Sequence, residues 1–410
     1  MRLIHTADWH LNDRLGRVDR TADLRERVER VAALCDEYAA DVLLIAGDLF
    51  AESATTDQVA DSLRHLEATF SGFFARGGTI LAVTGNHDQD RRVRRELEVA
   101  RAGMLVAAPS VRPGEGFRPG RLYLLGGTFF GKLRDPRDDF DVQFVFLPYP
   151  SPSCYLDGDG AFTTAEEQNR LVQGAVAAWL RSLPGREGYD PAARTVLAGH
   201  LNVEGADLGR GLFRLHERDD VTLPAPDLPV AFDYIALGHI HKAQCLRGQE
   251  HVRYAGSLDR LDFGERDESK GVVLVEIGPD GRRGEPVVLP IDPTPLVELV
   301  IREPELDADA LRTLVPDPAR AVVKVIAEPA VAGDTGEALK RFLHAALPRI
   351  AAEDWQAAPI ADGPADRAVP ARADFRSTVR DYLARRLADD SRRDELLRLA
   401  DSFLDPEAQP

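Results

Sequence analysis

At 410 residues, with 44 % hydrophobic and 29 % charged side chains, the chain has an ordinary globular composition and the length for two or three domains. A net charge of −17, from 51 Lys and Arg against 68 Asp and Glu, excludes a protein that coats nucleic acid by bulk electrostatics, so any DNA contact must be local. No run approaches the ~18 apolar residues of a membrane span, no apolar leader follows Met1, and the distant Cys35, Cys154 and Cys245 form neither a disulfide framework nor a zinc clip; together these predict a soluble, cytoplasmic protein.

The first apolar run, Leu3 to Thr6, reads as a strand leading into Asp8 and His10. A crossover helix follows over 23–38, with Leu24, Val28, Val31, Leu34 and Tyr38 at helical spacing. Val42 to Asp48 is a short, branched run that stops at Gly47; it reads as a fully buried strand delivering Asp48 at its end. Val59, Leu63, Leu66, Phe70 and Phe73 stripe a second helix over 56–76, closed by Gly77 and Gly78. Strand, helix, strand repeated in this way implies parallel pairing. Thr79 to Val83 then runs into Asn86, His87 and Asp88. Directly after it, Arg91, Arg92, Arg94 and Arg95 open a helix continuing through Leu97, Ala100 and Met104; beside a ligand cluster they are candidates for a phosphate-backbone contact, the alternative being a solvated face.

Leu122 to Leu125 and Val142 to Leu147 read as strands of a second sheet separated by a charged loop. Thr164 to Glu167 forms a capping box before a helix with Leu171, Val176, Trp179 and Leu183 on one side. Two further strands run into ligand-type residues: Thr195 to Ala198 into His200, and Tyr234 to Leu237 into His239 and His241. His251 to Tyr254 and Gly271 to Ile277 are expected to complete the second sheet and a first domain over 1–285. Four prolines between Pro286 and Pro295 mark a boundary. A small α/β domain over 286–360 is expected from strands at 296–301 and 321–326 and helices at 306–314 and 337–347. An alanine- and proline-rich linker over 361–373 leads to a helical hairpin over 374–405, with Phe375, Val379, Leu383 and Leu387 on one helix and Leu396, Leu397, Ala400, Phe403 and Leu404 on the other.

Five strands therefore end in Asp, His or Asn, oxygen and nitrogen donors that suit manganese, iron or zinc, with no thiolate among them. In the pairs Asp8 and His10, and His239 and His241, the intervening residue lets both side chains of an extended segment point the same way. In α/β sheets the functional crevice lies outside the carboxyl ends of the strands, so the five ends should meet on one rim. Two divalent ions there would return four positive charges to an acidic protein where a phosphate must sit. His5, His65, His216, His251 and His344 fall outside the pattern and read as structural.

In order, Asp8-x-His10, Gly47-Asp48, Gly85-Asn86-His87-Asp88, Gly199-His200 and Gly238-His239-x-His241 resemble the calcineurin-like metallophosphoesterase superfamily. The wording of Met1 to Leu11, Phe232 to His241 and His251 to Ser257 is similar to its branch of bacterial DNA-repair nucleases that work with a coiled-coil ATPase. The likeness is dense over 1–285 and holds only in domain order beyond. It implies an α/β fold: a β-sandwich of two mixed sheets flanked by helices, then a capping α/β domain and a hairpin for the ATPase partner. It implies further that Asp8, His10, Asp48 and His241 hold one metal and Asp48, Asn86, His200 and His239 the other, usually manganese, with His87 as general acid and Asp88 orienting its ring. Exonuclease action on duplex ends, endonuclease action on single strands or hairpins, a role in DNA repair and recombination, and a homodimer follow from the same likeness. Two positions depart from the pattern: Ala51 stands where some relatives carry a second histidine, and Asn12 replaces a glycine. The chain has no Gly-x-x-x-x-Gly-Lys-Ser/Thr loop, so ATP dependence would come from the partner. The competing readings are a phosphatase on the same scaffold, which has no need of the C-terminal additions, and a non-enzymatic scaffold, which would have lost ligands.

Overall fold

The computed structural model describes residues 1–89, 116–156, 164–209, 221–246, 248–302, 306–328 and 334–355, together with 393, 396 and 397. Residues 1–357 form one compact unit and 358–410 a second, in which the described Arg393, Leu396 and Leu397 are helical. The rest of the expected hairpin, the linker, His216 and the arginine run at 91–95 lie outside the described residues.

Strand β1 (Arg2–Thr6), helix α1 (Thr21–Glu37), strand β2 (Val42–Ala46), helices α2 (Thr56–Thr69) and α3 (Ser71–Ala75) and strand β3 (Thr79–Val83) follow the predicted order. The β1, β2 and β3 strands pair in parallel. Phe70 breaks the second predicted helix into α2 and α3, yet its ring and that of Phe73 stay buried. β4 (Leu122–Leu125) then adds in parallel to β3.

The second sheet is built from β5 (Phe129–Arg134), β6 (Asp141–Leu147), β7 (Arg194–His200), β8 (Tyr234–Gly238), β9 (Gln244–Leu246) and β10 (Gln249–Tyr254) in the order β9-β10-β8-β7-β6-β5. Helix α4 (Ala165–Ser182) covers it, with the Thr164 hydroxyl accepting from the Glu167 N–H. The chain returns to the first sheet with β11 (Lys270–Gly278), antiparallel to β1, and β12 (Val287–Ile291), antiparallel to β11.

The result is two mixed sheets packed face to face with helices outside. Alternate residues of the central strands divide between layers: Leu3, Leu44, Leu81, Phe144, Val196 and Tyr234 fill the space between the sheets. Ile4, Ile45 and Ile80 face α1 and α2, while Val145, Leu197 and Ile235 face α4. Burial on both faces is why these strands read as continuous apolar runs.

Three sequence expectations are corrected. Leu122–Leu125 and Gly271 to Ile277 belong to the first sheet, because a strand buried on both faces carries no pattern that names its partner. The stretch between Leu125 and Val142 is not simply a charged loop, since β5 runs antiparallel to β6 within it. On α4 the buried stripe is Val172, Val176, Ala177 and Leu180, and Leu171 is exposed.

Beyond β12 lies a small three-stranded parallel sheet of β13 (Leu296–Ile301), β14 (Val322–Ala327) and β15 (Ile350–Trp355), with helices α5 (Ala308–Leu314) and α6 (Asp334–Ala346) as its crossovers. It is seated by a cluster of Leu296, Val322 and Ala351 against Leu15, Val18 and Phe263, and by an ion pair of Arg349 with Asp23.

Candidate metal centre

The carboxyl ends of β1, β2, β3, β7 and β8 meet at the seam between the two large sheets. The seam is close: His200 Nδ1 donates to the Ala46 carbonyl at 2.8 Å, and a Cβ on Gly238 would lie 1.9 Å from that same oxygen. Gly85 carries no side chain for a similar reason, since its Cβ would fall 2.0 Å from Asp48 Oδ1. The predicted rim exists, contributed by two sheets.

Asp8 (φ 51°), His10 (φ 44°), Asp48 (φ 50°) and His239 (φ 90°) all occupy left-handed backbone, a strain of about 1–3 kcal/mol each that surrounding structure must over-determine. Main-chain bonds do so: Asp8 N–H donates to the Gly47 carbonyl, and Trp9 and His10 N–H both donate to that of Asp48. Asn12 is left-handed too, at φ 71°, which explains how it fills a glycine's place; its side chain bonds Ser62 Oγ at 2.9 Å.

Asp48 sits at the centre with 2 % exposure. Its Oδ2 lies 3.4 Å from His200 Nε2, 3.5 Å from His10 Nε2 and 3.9 Å from His87 Nε2, while Oδ1 accepts the His87 main-chain N–H. Asn86 Oδ1 is 3.1 Å from both His200 Nε2 and His239 Nδ1. The Asp8 carboxylate accepts the His239 N–H and stands 3.8 Å from His200 Nδ1. Three trios, Asp8 with His10 and His241, His10 with Asp48 and His87, and Asp8 with Asp48 and His200, each bring their ligand atoms within 4.8 Å of one another.

The electrostatics are those of a cation site. Burial alone would raise the Asp48 carboxyl, but His200, His87 and His10 outweigh it and hold it well below the usual range. For His200 burial opposes charge, and Asp48 and Asp8 overcome it, pushing the imidazole up to about 9. Burial instead dominates at His10, lowering it well below the ordinary value, and at Asp8, raising it. His10 Nε2 is buried with no hydrogen-bond partner, facing a carboxylate. A buried imidazole nitrogen without a hydrogen-bond partner, aimed at buried oxygens, with an amide oxygen and further imidazoles converging beside them, is a donor set that divalent metals satisfy and hydrogen bonds do not.

The family model described as "Calcineurin-like phosphoesterase" matches residues 1–243. The chain belongs to that family. Among curated proteins it is similar to the SbcD component of the SbcCD nuclease of Escherichia coli K12 and of Escherichia coli O157:H7, in each case 29 % identical over 280 residues, covering 67 % of this chain and 64 % of the relative. The match thus spans just under two thirds of the length of those two relatives. The protein of the same name from Rhodobacter capsulatus is 29 % identical over 343 residues, 78 % of each chain.

Of the predicted site residues, Asp8, His10, Asp48, Asn86, His87, His200, His239 and His241 are brought together. Asp88 is adjacent but acts differently. Its buried carboxylate accepts the N–H groups of Leu49, Phe50 and Gly85 at 3.0–3.1 Å, tying the β2 and β3 ends together, where an orienting contact to the His87 ring was expected. Burial and Asp48 push its pKa up to about 6 despite those bonds. The side chain near His87 Nδ1 is Glu52, at 3.8 Å. His5, His65, His251 and His344 make other contacts, with Tyr234, Thr69, Val230 and Glu353 respectively. Sequence reasoning missed Glu265, buried behind His241, and Tyr149, whose ring centroid is 5.4 Å from that of His239. Neither carries a local motif that could have revealed it.

Proposed function

We propose that the protein is a two-metal DNA phosphodiesterase: an exonuclease on duplex ends and an endonuclease on single strands or hairpins, serving DNA repair and recombination. The observation that carries the reading is the convergence, at one rim, of seven side chains with oxygen and nitrogen donors, the buried Asp48 carboxylate among them. Asp8, His10, Asp48 and His241 hold one divalent cation, and Asp48, Asn86, His200 and His239 hold the second, with Asp48 shared; manganese is the ion proposed. When bound, such a pair supplies activation of water, orientation of the phosphodiester and neutralisation of the charge of an in-line displacement. The protein's own part is to fix those donors on strand ends and to deliver a proton. His87, one-third exposed at the rim, is placed to protonate the departing oxygen, and Glu52 beside its Nδ1 can bias the ring.

DNA as substrate is supported by the nuclease name of the relatives. Arg91, Arg92, Arg94 and Arg95 are proposed to hold its backbone. The organisation proposed is a nuclease domain that extends past the expected boundary at 285 to include β12, because that strand pairs with β11 in the first sheet, then a capping domain up to 360, a linker and a hairpin over 374–405 that binds an SbcC-type coiled-coil ATPase, in a cytoplasmic homodimer. Among the described residues no helix is long and apolar enough to cross a membrane.

The test compares bis(p-nitrophenyl) phosphate with the monoester, with manganese and with EDTA, followed by labelled duplex DNA. Manganese-dependent diester cleavage, absent from Asp48→Asn, is expected. Preference for the monoester and no action on DNA would replace this reading by a phosphatase.

A further inference from the structure

Glu265 lies in a short 3-10 turn (Phe263–Glu265), 3 % exposed, and has no place among the ligands. Its Oε1 is 2.9 Å from His241 Nδ1. Its Oε2 meets the Leu261 N–H at 3.2 Å, the Lys270 ammonium at 2.8 Å and, at 3.0 Å, the Ser257 hydroxyl, whose single proton is shared with the Asp259 carbonyl at 2.8 Å. Lys270 is itself buried, and its three protons are all committed, to Glu265 Oε2, to Glu268 Oε2 at 2.8 Å and to the His241 main-chain carbonyl at 3.0 Å.

Resting on the metal-site reading above, we infer that Glu265 and Lys270 are a positioning pair for His241, locking the imidazole as the Nδ1–H tautomer, which puts the ring's lone pair on Nε2 for the ion shared by Asp8, His10 and Asp48. The reasoning is one of proton counting. An ionised carboxylate can only accept, so the Nδ1 it meets must carry the hydrogen, and the lone pair is left on Nε2. Lys270 then serves twice, offsetting the buried charge of Glu265 and gripping the main chain of the residue whose ring Glu265 orients. His200, assigned to the other ion, is held differently, with Nδ1 on the neutral Ala46 carbonyl.

Glu265→Gln tests this sharply. The Leu261 N–H and the Lys270 ammonium face Oε2, which draws the amide oxygen to that side and leaves the NH2 group facing His241 Nδ1. That nitrogen must then accept, moving the ring proton to Nε2, the atom needed by the ion. Lys270 keeps Glu268 and the His241 carbonyl, so the change leaves no buried charge without a partner. Manganese binding is followed by calorimetry and electron paramagnetic resonance, and the His241 tautomer by 15N chemical shifts of histidine-labelled protein without metal, at a pH high enough to leave the ring neutral, because burial, which lowers its pKa, is outweighed by Glu265 and Asp8, which raise it. In the wild type the expected result is two manganese ions and Nδ1–H at His241. In Glu265→Gln it is one ion bound as before, the other about 10- to 100-fold weaker, and Nε2–H at His241. The retained ion reports that the variant is folded. Two unchanged ions in the variant, or equal loss of both, overturns the inference. So does an Nε2–H tautomer in the wild type, which needs no variant. A wild type that takes up no manganese overturns the metal-site reading itself, a distinguishable failure.

Discussion

At the scale of single residues, His87 and His5 show how differently two buried-side imidazoles can be used. His87 Nε2 stands 3.9 Å from the shared carboxylate, in reach of a trio that could itself hold an ion, so proton donor and ligand are separable only by variant. As a donor, His87→Ala should keep both manganese ions and lose about 10²- to 10⁴-fold in kcat. Loss of one ion on titration would make it a ligand. His5 is fully buried, bonds the Tyr234 hydroxyl at 2.9 Å, and burial pushes it down to about 3. The unfolded chain takes up that proton near pH 6.5 and the native chain refuses it until about pH 3. His5 should therefore cost nothing above pH 6.5 and remove up to about 1.4 kcal/mol of stability per pH unit as pH falls between those limits. Urea unfolding at pH 7 and pH 5 should show a shallower fall in His5→Gln than in the wild type, whatever their absolute stabilities; parallel falls would mean that the imidazole charges in the native state.

At the scale of elements, the glycines sort by what a Cβ would meet. Gly238→Ala would drive a methyl into the Ala46 carbonyl at the inter-sheet seam, and overpacking of this kind costs about 1–3 kcal/mol or more. Gly174, in the middle of α4, would meet nothing within 4 Å, and Gly174→Ala should stabilise the protein by about 0.5–1 kcal/mol through helix propensity. Thermal unfolding should move the two variants in opposite directions; equal shifts would mean that the seam relaxes. The same elements show what a single sequence makes legible. The five strands that carry ligands were readable because each is a short apolar run ended by a polar residue with its own chemistry, and α1 and α2 because one face alone is apolar. Partnership was not readable: Leu122–Leu125 and Lys270–Gly278 are buried on both sides, and only three-dimensional packing assigns them to the first sheet. β15 was missed because its acidic stretch, Glu353 and Asp354, reads as loop. Glu265 was missed because its meaning lies in a contact across 24 residues.

At the scale of the whole molecule, a net charge of −17 would have to coexist with the polyanionic substrate proposed above, so chemistry and substrate capture are expected to be separable functions. The candidate metal-site residues all lie within the compact unit of residues 1–357, whose small parallel sheet is seated by Leu296, Val322 and Ala351 packing against Leu15, Val18 and Phe263. Every side chain named in that packing belongs to residues 1–357. The sequence beyond has two apolar stripes of about a dozen residues each, Phe375 to Leu387 and Leu396 to Leu404, near the length at which isolated helices are marginal in water. Stripes of that size need a partner surface to persist, and an amphipathic hairpin on an alanine- and proline-rich tether suits capture of a coiled coil. A chain ending at Ala373 should therefore fold with an unchanged melting temperature, bind two manganese ions and cleave bis(p-nitrophenyl) phosphate at the full-length rate. It should fail to co-purify with the coiled-coil ATPase and lose sustained degradation of duplex ends. Retention of the ATPase at full yield would move the contact onto the compact unit, where the exposed Val287 and Val288 of β12 would be the next residues to substitute.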